Sequence, residues 1–132
     1  MSRATILIAD DCSDIRTIIR YLLNDLGFAV VEAADGNEAV RLARQCRPVL
    51  ILLDLCMPGI DGLEVAAQLR TDPALEEVPI LAMTAYNMSS AIHAALHAGC
   101  QQVVIKPFDL LDISRKIAAL MVPHGMLAPY YA

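Results

Sequence analysis

Val49-Leu50-Ile51-Leu52-Leu53-Asp54 is the stretch on which the fold turns. A half-exposed strand alternates apolar and polar residues, and this run does not. Unbroken aliphatic residues suit a central parallel strand, covered by helices on both faces. The run stops on a carboxylate, and the neighbouring segments follow the same pattern.

Toward the N-terminus, residues 5–9 form a short apolar strand that runs into Asp10-Asp11. Toward the C-terminus, residues 79–83 precede Thr84 and residues 103–105 precede Lys106. Residues 28–32 read as one more strand. Helices fill the intervals. Residues 14–26 carry apolar side chains at 15, 18, 19, 22, 23 and 26, one face of a 3.6-residue period. Gly27 ends that helix as a C′ glycine would. Further helices are expected over 37–45 after the Asp35-Gly36 turn, and over 62–70, 87–97 and 110–121, with a polar loop at 71–78. Five strand-then-helix units imply an α/β doubly wound parallel sheet. Right-handed crossovers place helices on both faces. Functional groups in such sheets lie beyond the carboxyl ends of the strands.

Composition narrows the function classes. At 132 residues there is room for one domain with a real core. With 57% hydrophobic and 19% charged residues the chain is not disordered. A net charge of −5, with ten scattered Lys and Arg, argues against direct DNA binding. Mean hydropathy is high, +0.51. Even so, the apolar runs at 49–53 and 79–82 fall far short of the ~20 residues a spanning helix needs. The N-terminal residues do not resemble a signal peptide. Cys12, Cys46, Cys56 and Cys100 form no CxxC pair, so reduced thiols and a cytoplasmic location, away from the membrane, are expected.

Asp10, Asp11, Asp54, Thr84 and Lys106 all fall at strand ends. Crowded carboxylates raise one another's pKa unless a cation neutralises them. Hard oxygen donors suit Mg²⁺ or Mn²⁺ rather than zinc.

Over residues 4–121 the chain resembles the receiver domain of two-component response regulators. The resemblance rests on Asp10-Asp11, Asp54-Leu55-Cys56-Met57-Pro58-Gly59-Ile60-Asp61-Gly62, Thr84-Ala85 and Lys106-Pro107. It is greatest to single-domain receivers such as the chemotaxis regulator. It implies a flavodoxin-like five-stranded sheet in the order 2-1-3-4-5 with five helices. It also implies that Asp54 accepts a phosphoryl group from a phospho-histidine on a sensor histidine kinase or phosphotransfer protein. Asp11 and Asp54 would bind Mg²⁺ directly and Asp10 through water, with the backbone carbonyl of Cys56 as a further ligand. Lys106 would pair with a phosphoryl oxygen and Thr84 would rotate in to bond another. Lys106–Pro107 would be a cis peptide, and Gly59 and Gly62 would serve backbone geometry. Cys56 and Tyr86 would set the rate of self-dephosphorylation. Such a chain is no enzyme beyond its own phosphorylation and dephosphorylation. It would act on a downstream protein target, with homodimerisation an option. On this reading residues 1–122 are the receiver and 123–132 an apolar tail, with no output domain.

Two rival classes fail on the residues. An aspartyl phosphatase carries a second acid two positions after its nucleophile, where this chain has Cys56. A nucleotide or flavin binder needs a glycine- or hydroxyl-rich first loop, and Asp10-Asp11 would repel its phosphate. The remaining alternative is a receiver-like module that binds a partner constitutively and no longer switches. Val103 bears on it, because it stands where the family usually carries Tyr or Phe. Elsewhere, His93 and His97 read as surface residues, and Met57, Met83, Met88 and Met121 as core filler. Cys56 reads as a buried thiol, and Phe108 as packing beneath the last helix. Ala91, Ala94, Ala95 and Ala98 read as a helix face open to close approach.

Overall fold

The computed structural model describes residues 3–85 and 88–121. In chain order the elements are β1 (Thr5–Ala9), α1 (Ser13–Asp25), β2 (Ala29–Ala33), α2 (Gly36–Cys46) and β3 (Leu50–Asp54). They continue with α3 (Gly62–Arg70), β4 (Ile80–Thr84), α4 (Ser89–His97), β5 (Gln102–Ile105) and α5 (Leu110–Met121). The strands form one sheet in the order β2-β1-β3-β4-β5, and every pair is parallel. This is the flavodoxin-like order, with strand direction of progress reversing between β1 and β3.

Side chains alternate across the sheet, so each strand feeds two cores. Leu7, Ile51, Leu53 and Ile80 pack with Ala39, Val65 and Leu69 on the side of α2 and α3. Ile6, Ile8, Leu50, Leu52 and Leu81 pack with Ile19, Leu23, Ile113 and Ile117 on the side of α1 and α5. All residues of β3 and β4 are buried, as expected of strands covered on both faces. Phe108 and Met121 border the α1/α5 core, and Met57 and Met83 are buried.

Local signals set the helix ends. Asp35 caps α2 by accepting a hydrogen bond from the Glu38 N–H at 2.8 Å, and Glu38 reaches back to the Ala34 N–H at 2.9 Å. Asp61 caps α3 in the same way, through the Glu64 N–H at 2.9 Å. Gly27 follows α1 with φ +97°, a conformation that costs glycine little.

Several expectations need correction. β2, β3 and β4 each lie one residue later than hydropathy places them. The ladder continues through polar residues: Asp54 is in register with Met83 and Thr84 with Ile105. The first helix ends at Asp25, with Leu26 its exposed C-cap; Ile18 is exposed too, because the buried stripe is centred on Ile19 and Leu23. Met88 is exposed just ahead of α4, so it is not core filler. Ala95 is buried against the sheet rather than on an outer helix face. Cys56 is exposed, because Met57 and Leu55 on either side pack into the core. Leu75, inside the polar loop, is buried in the α2/α3 core. The expected start of α4 at 87, Tyr86 and the tail at 123–132 lie outside the described residues. Among the described residues, no helix is long and apolar enough to cross a membrane.

Candidate functional site

Parallel register brings the strand ends to one level. Ala9 is in register with Leu53, so Asp10 leaves β1 beside Asp54, the last residue of β3. Thr84 ends β4, and its carbonyl accepts a 2.7 Å hydrogen bond from the Lys106 backbone N–H just past β5. Asp10, Asp54 and Thr84 are the buried polar residues among those described.

Asp10 is fully buried and bonded at every polar atom. Its N–H donates to the Ala33 carbonyl at 3.1 Å, and Oδ1 accepts from the Cys12 N–H at 2.9 Å. Oδ2 accepts from Lys106 Nζ at 2.9 Å, and the main-chain carbonyl accepts from Arg16 Nη1 at 2.7 Å. Asp54 Oδ1 accepts from the Cys56 N–H at 3.1 Å, and Oδ2 lies 3.4 Å from Lys106 Nζ. Asp11 is exposed, yet one carboxylate oxygen from each of Asp10, Asp11 and Asp54 falls within 4.8 Å of the others.

The electrostatics follow from this crowding. Burial pushes the Asp54 pKa up; the Cys56 N–H opposes that, the Asp10 charge adds to it, and Lys106 opposes it. Burial alone would lower the Lys106 pKa, but its bond to Asp10 and the charges of Asp10 and Asp54 raise it. Three carboxylates less one ammonium leave two negative charges, a match for a divalent cation. The donors are all oxygen, and one carboxylate is exposed to solvent, so a cation could arrive while keeping waters. Residues of this type fit Mg²⁺ better than a soft metal.

The structure thus brings Asp10, Asp11, Asp54, Thr84 and Lys106 together at one sheet edge. Cys56 lies in the loop directly after β3, its backbone N–H on Asp54 and its thiol exposed. The Lys106–Pro107 peptide is cis. Gly59 has φ +81°, and a Cβ on Gly62 would meet Leu55 Cα at 2.5 Å and the Asp54 carbonyl at 2.7 Å. Val103 packs half-buried against the α2/α3 core. His93 and His97 are exposed and join no metal-competent group among the described residues. Sequence reading passed over Arg16 and Glu32. The available signal was a glutamate inside a strand, a charge that needs a partner.

The receiver-domain profile of response regulators matches residues 6–118. The chain belongs to the response regulator receiver family. Its sequence is 39% identical over 116 residues to response regulator MprA of Mycolicibacterium vanbaalenii, covering 88% of this chain and 49% of that protein. It is 34% identical over 124 residues to PhoP of Bacillus subtilis, an alkaline phosphatase synthesis transcriptional regulatory protein. That match covers 94% of this chain and 51% of PhoP. The chain therefore spans about half the length of these curated relatives. An uncharacterized 14.6 kDa protein of Leptolyngbya boryana is 34% identical, with 89% of each chain covered. Among solved structures, chemotaxis protein CheY4 of Vibrio cholerae superposes with a TM-score of 0.86 at 28% identity, over 91% of this chain and 100% of CheY4.

Proposed function

We propose that this receiver is a phosphorylation-operated switch in which Asp54 accepts the phosphoryl group of a phospho-histidine. The observation that carries the reading is the placement of Asp54: buried, 3.4 Å from the Lys106 ammonium, and clustered with the oxygens of Asp10 and Asp11. One Asp54 carboxylate oxygen forms a bond to phosphorus as the phosphorus–nitrogen bond to the donor imidazole breaks. The imidazole leaves with that electron pair. Little covalent chemistry is asked of the protein; positioning and charge neutralisation do most of the work.

Asp11 and Asp54 would hold Mg²⁺ directly, with Asp10 acting through water and the Cys56 carbonyl as a further protein ligand; Mn²⁺ could substitute. When bound, the ion would supply positive charge toward the phosphoryl oxygens. Lys106 offers a point charge to one of those oxygens. Thr84, buried at the end of β4, rotates in to bond another through its hydroxyl. A sensor histidine kinase or phosphotransfer protein is the donor, and the output is a protein–protein contact with a downstream target or a second copy. Free thiols at Cys12, Cys46, Cys56 and Cys100 suit a reducing cytoplasm.

Acetyl phosphate with Mg²⁺ tests the reading. Intact mass is expected to rise by one phosphate in the wild type and not in Asp54→Asn. Labelling that persists in the variant moves the acceptor elsewhere. Beryllofluoride with Mg²⁺ separates a switch from the constitutive module that Val103 leaves open: a switch changes its amide spectrum well beyond the site, and a module does not.

A further inference from the structure

A half-buried ionic contact is left unused by the reading above. Arg16, one turn into α1, spans two partners: Nη1 donates to the Asp10 carbonyl at 2.7 Å and Nε to Glu32 Oε1 at 3.0 Å. Arg20 holds the other oxygen of Glu32 at 2.7 Å. Burial pushes the Glu32 pKa up, but the bonds and charges from Arg20 and Arg16 outweigh it and leave that pKa lowered. Glu32 lies on β2, whose next residue, Ala33, receives the Asp10 N–H.

The bonded carbonyl belongs to the peptide that joins Asp10 to Asp11. A peptide is planar, so fixing that oxygen fixes the plane from which both carboxylates are launched. Beyond Asp10 the sheet no longer supplies partners, and Arg16 takes over. Its charge would otherwise compete with a cation for the neighbouring carboxylates. Glu32, shared with Arg20, holds the Arg16 side-chain Nε on its own carboxylate and so turns that charge toward β2.

We infer that Arg16 and Glu32 are positioning residues for the divalent-cation site: Arg16 sets the Asp10–Asp11 peptide, and Glu32 keeps the guanidinium away from the carboxylates. This inference rests on the proposed role of Asp10, Asp11 and Asp54. Groups that orient metal ligands without touching the metal typically contribute 10–100-fold in affinity.

The test is calorimetric titration of Mg²⁺, and of Mn²⁺ as a tighter probe, into wild type, Arg16→Met, Glu32→Gln, Arg20→Met and Arg16→Met/Glu32→Gln. Urea unfolding of each variant in EDTA is measured alongside. Arg16→Met is expected to weaken cation binding about tenfold. Arg20→Met breaks a comparable ion pair without touching Asp10, and is expected to leave the affinity within about twofold. Glu32→Gln is expected to weaken binding when Arg16 is present, and to add nothing in the Arg16→Met background. Should Arg16→Met not fold, Glu32→Gln against Arg20→Met makes the same comparison. Equal affinities in wild type, Arg16→Met and Glu32→Gln overturn the inference while leaving the Asp54 reading intact. So do losses that follow the unfolding midpoint across all variants, Arg20→Met included. A wild type that binds neither cation overturns the reading of the site itself.

Discussion

Lys106 Nζ lies 2.9 Å from Asp10 Oδ2 and 3.4 Å from Asp54 Oδ2, so the one ammonium at the sheet edge is shared unequally. Asp10, with no exposed surface, takes the closer contact. Asp54 keeps the weaker one, and burial raises its pKa. The carboxylate proposed as the phosphoacceptor is therefore the less neutralised of the two.

Asp54 is expected to cost the fold stability at neutral pH. Its folded pKa lies above the ordinary carboxylate value of 3.8, so the folded state binds its proton more tightly than the unfolded state. The penalty is absent below the unfolded value, grows as pH rises through the window up to the folded value, and is fully present above it. In EDTA, Asp54→Asn should unfold at higher urea than wild type at pH 7, with the gap closing as the pH is lowered toward 4. A variant that is less stable at pH 7 would contradict this.

Lys106→Met is expected to destabilise the protein by about 3–5 kcal/mol, the usual cost of stranding a buried charge. The Cys12 N–H still on Asp10 favours the lower end of that range. The Lys106 pKa is raised, so its contribution is fully present below the ordinary lysine value of 10.5 and is lost as pH rises through the folded value. Urea midpoints at pH 7 and at alkaline pH should show the wild-type advantage shrinking.

Gly62→Ala is expected to damage stability and site together. The new methyl would sit within 2.7 Å of both Leu55 Cα and the Asp54 carbonyl, backbone atoms that cannot step aside. A loss on the order of 1–3 kcal/mol is expected, along with slower labelling by acetyl phosphate. Gly59→Ala meets only Asn37 Nδ2 at 3.5 Å, so its cost should come from φ +81° rather than from a clash. Slower labelling per unit of lost stability in Gly62→Ala than in Gly59→Ala is the signature to look for.

The thiols are expected to separate by environment. Cys12 and Cys56 are exposed beside the site, whereas burial pushes the Cys100 thiol up to about 11, with Arg70 opposing. Burial also raises the Cys46 pKa. Iodoacetamide at pH 8 should add rapidly to Cys12 and Cys56 and slowly to Cys46. It should reach Cys100 only after unfolding, as read by peptide mass. Early modification of Cys100 would mean that the α3–α4 side of the core opens readily.

The sheet, its parallel sense and the strand-end residues were legible in the sequence because each rests on local pattern. Runs such as 49–53 and 79–82 declare burial on both faces, and the polar residue ending each run marks the strand's carboxyl end. Periodicity reports which face of an element is apolar, but not how much of it the neighbours cover. Ile18 and Leu26 are exposed although they share the apolar face, and Met88, expected in the core, is exposed for the same reason. Cys56 was misjudged because one step of rotation past β3 exchanges inside for outside, and Leu55 and Met57 took the inside positions.

Residue types alone determined that three carboxylates, a hydroxyl and an ammonium end the strands of this chain, and that hard-oxygen chemistry was on offer. Only the tertiary structure decided their pairing. Lys106 bonds Asp10 across 96 positions of sequence, through a register that carries β1, β3, β4 and β5 to a common edge. Arg16 meets Glu32 because α1 packs beside β2, and from there it reaches the Asp10 carbonyl. Hydropathy is a property of single residues and short windows. A hydrogen bond between distant segments depends on where the whole sheet places them, so it becomes visible only once the chain is folded.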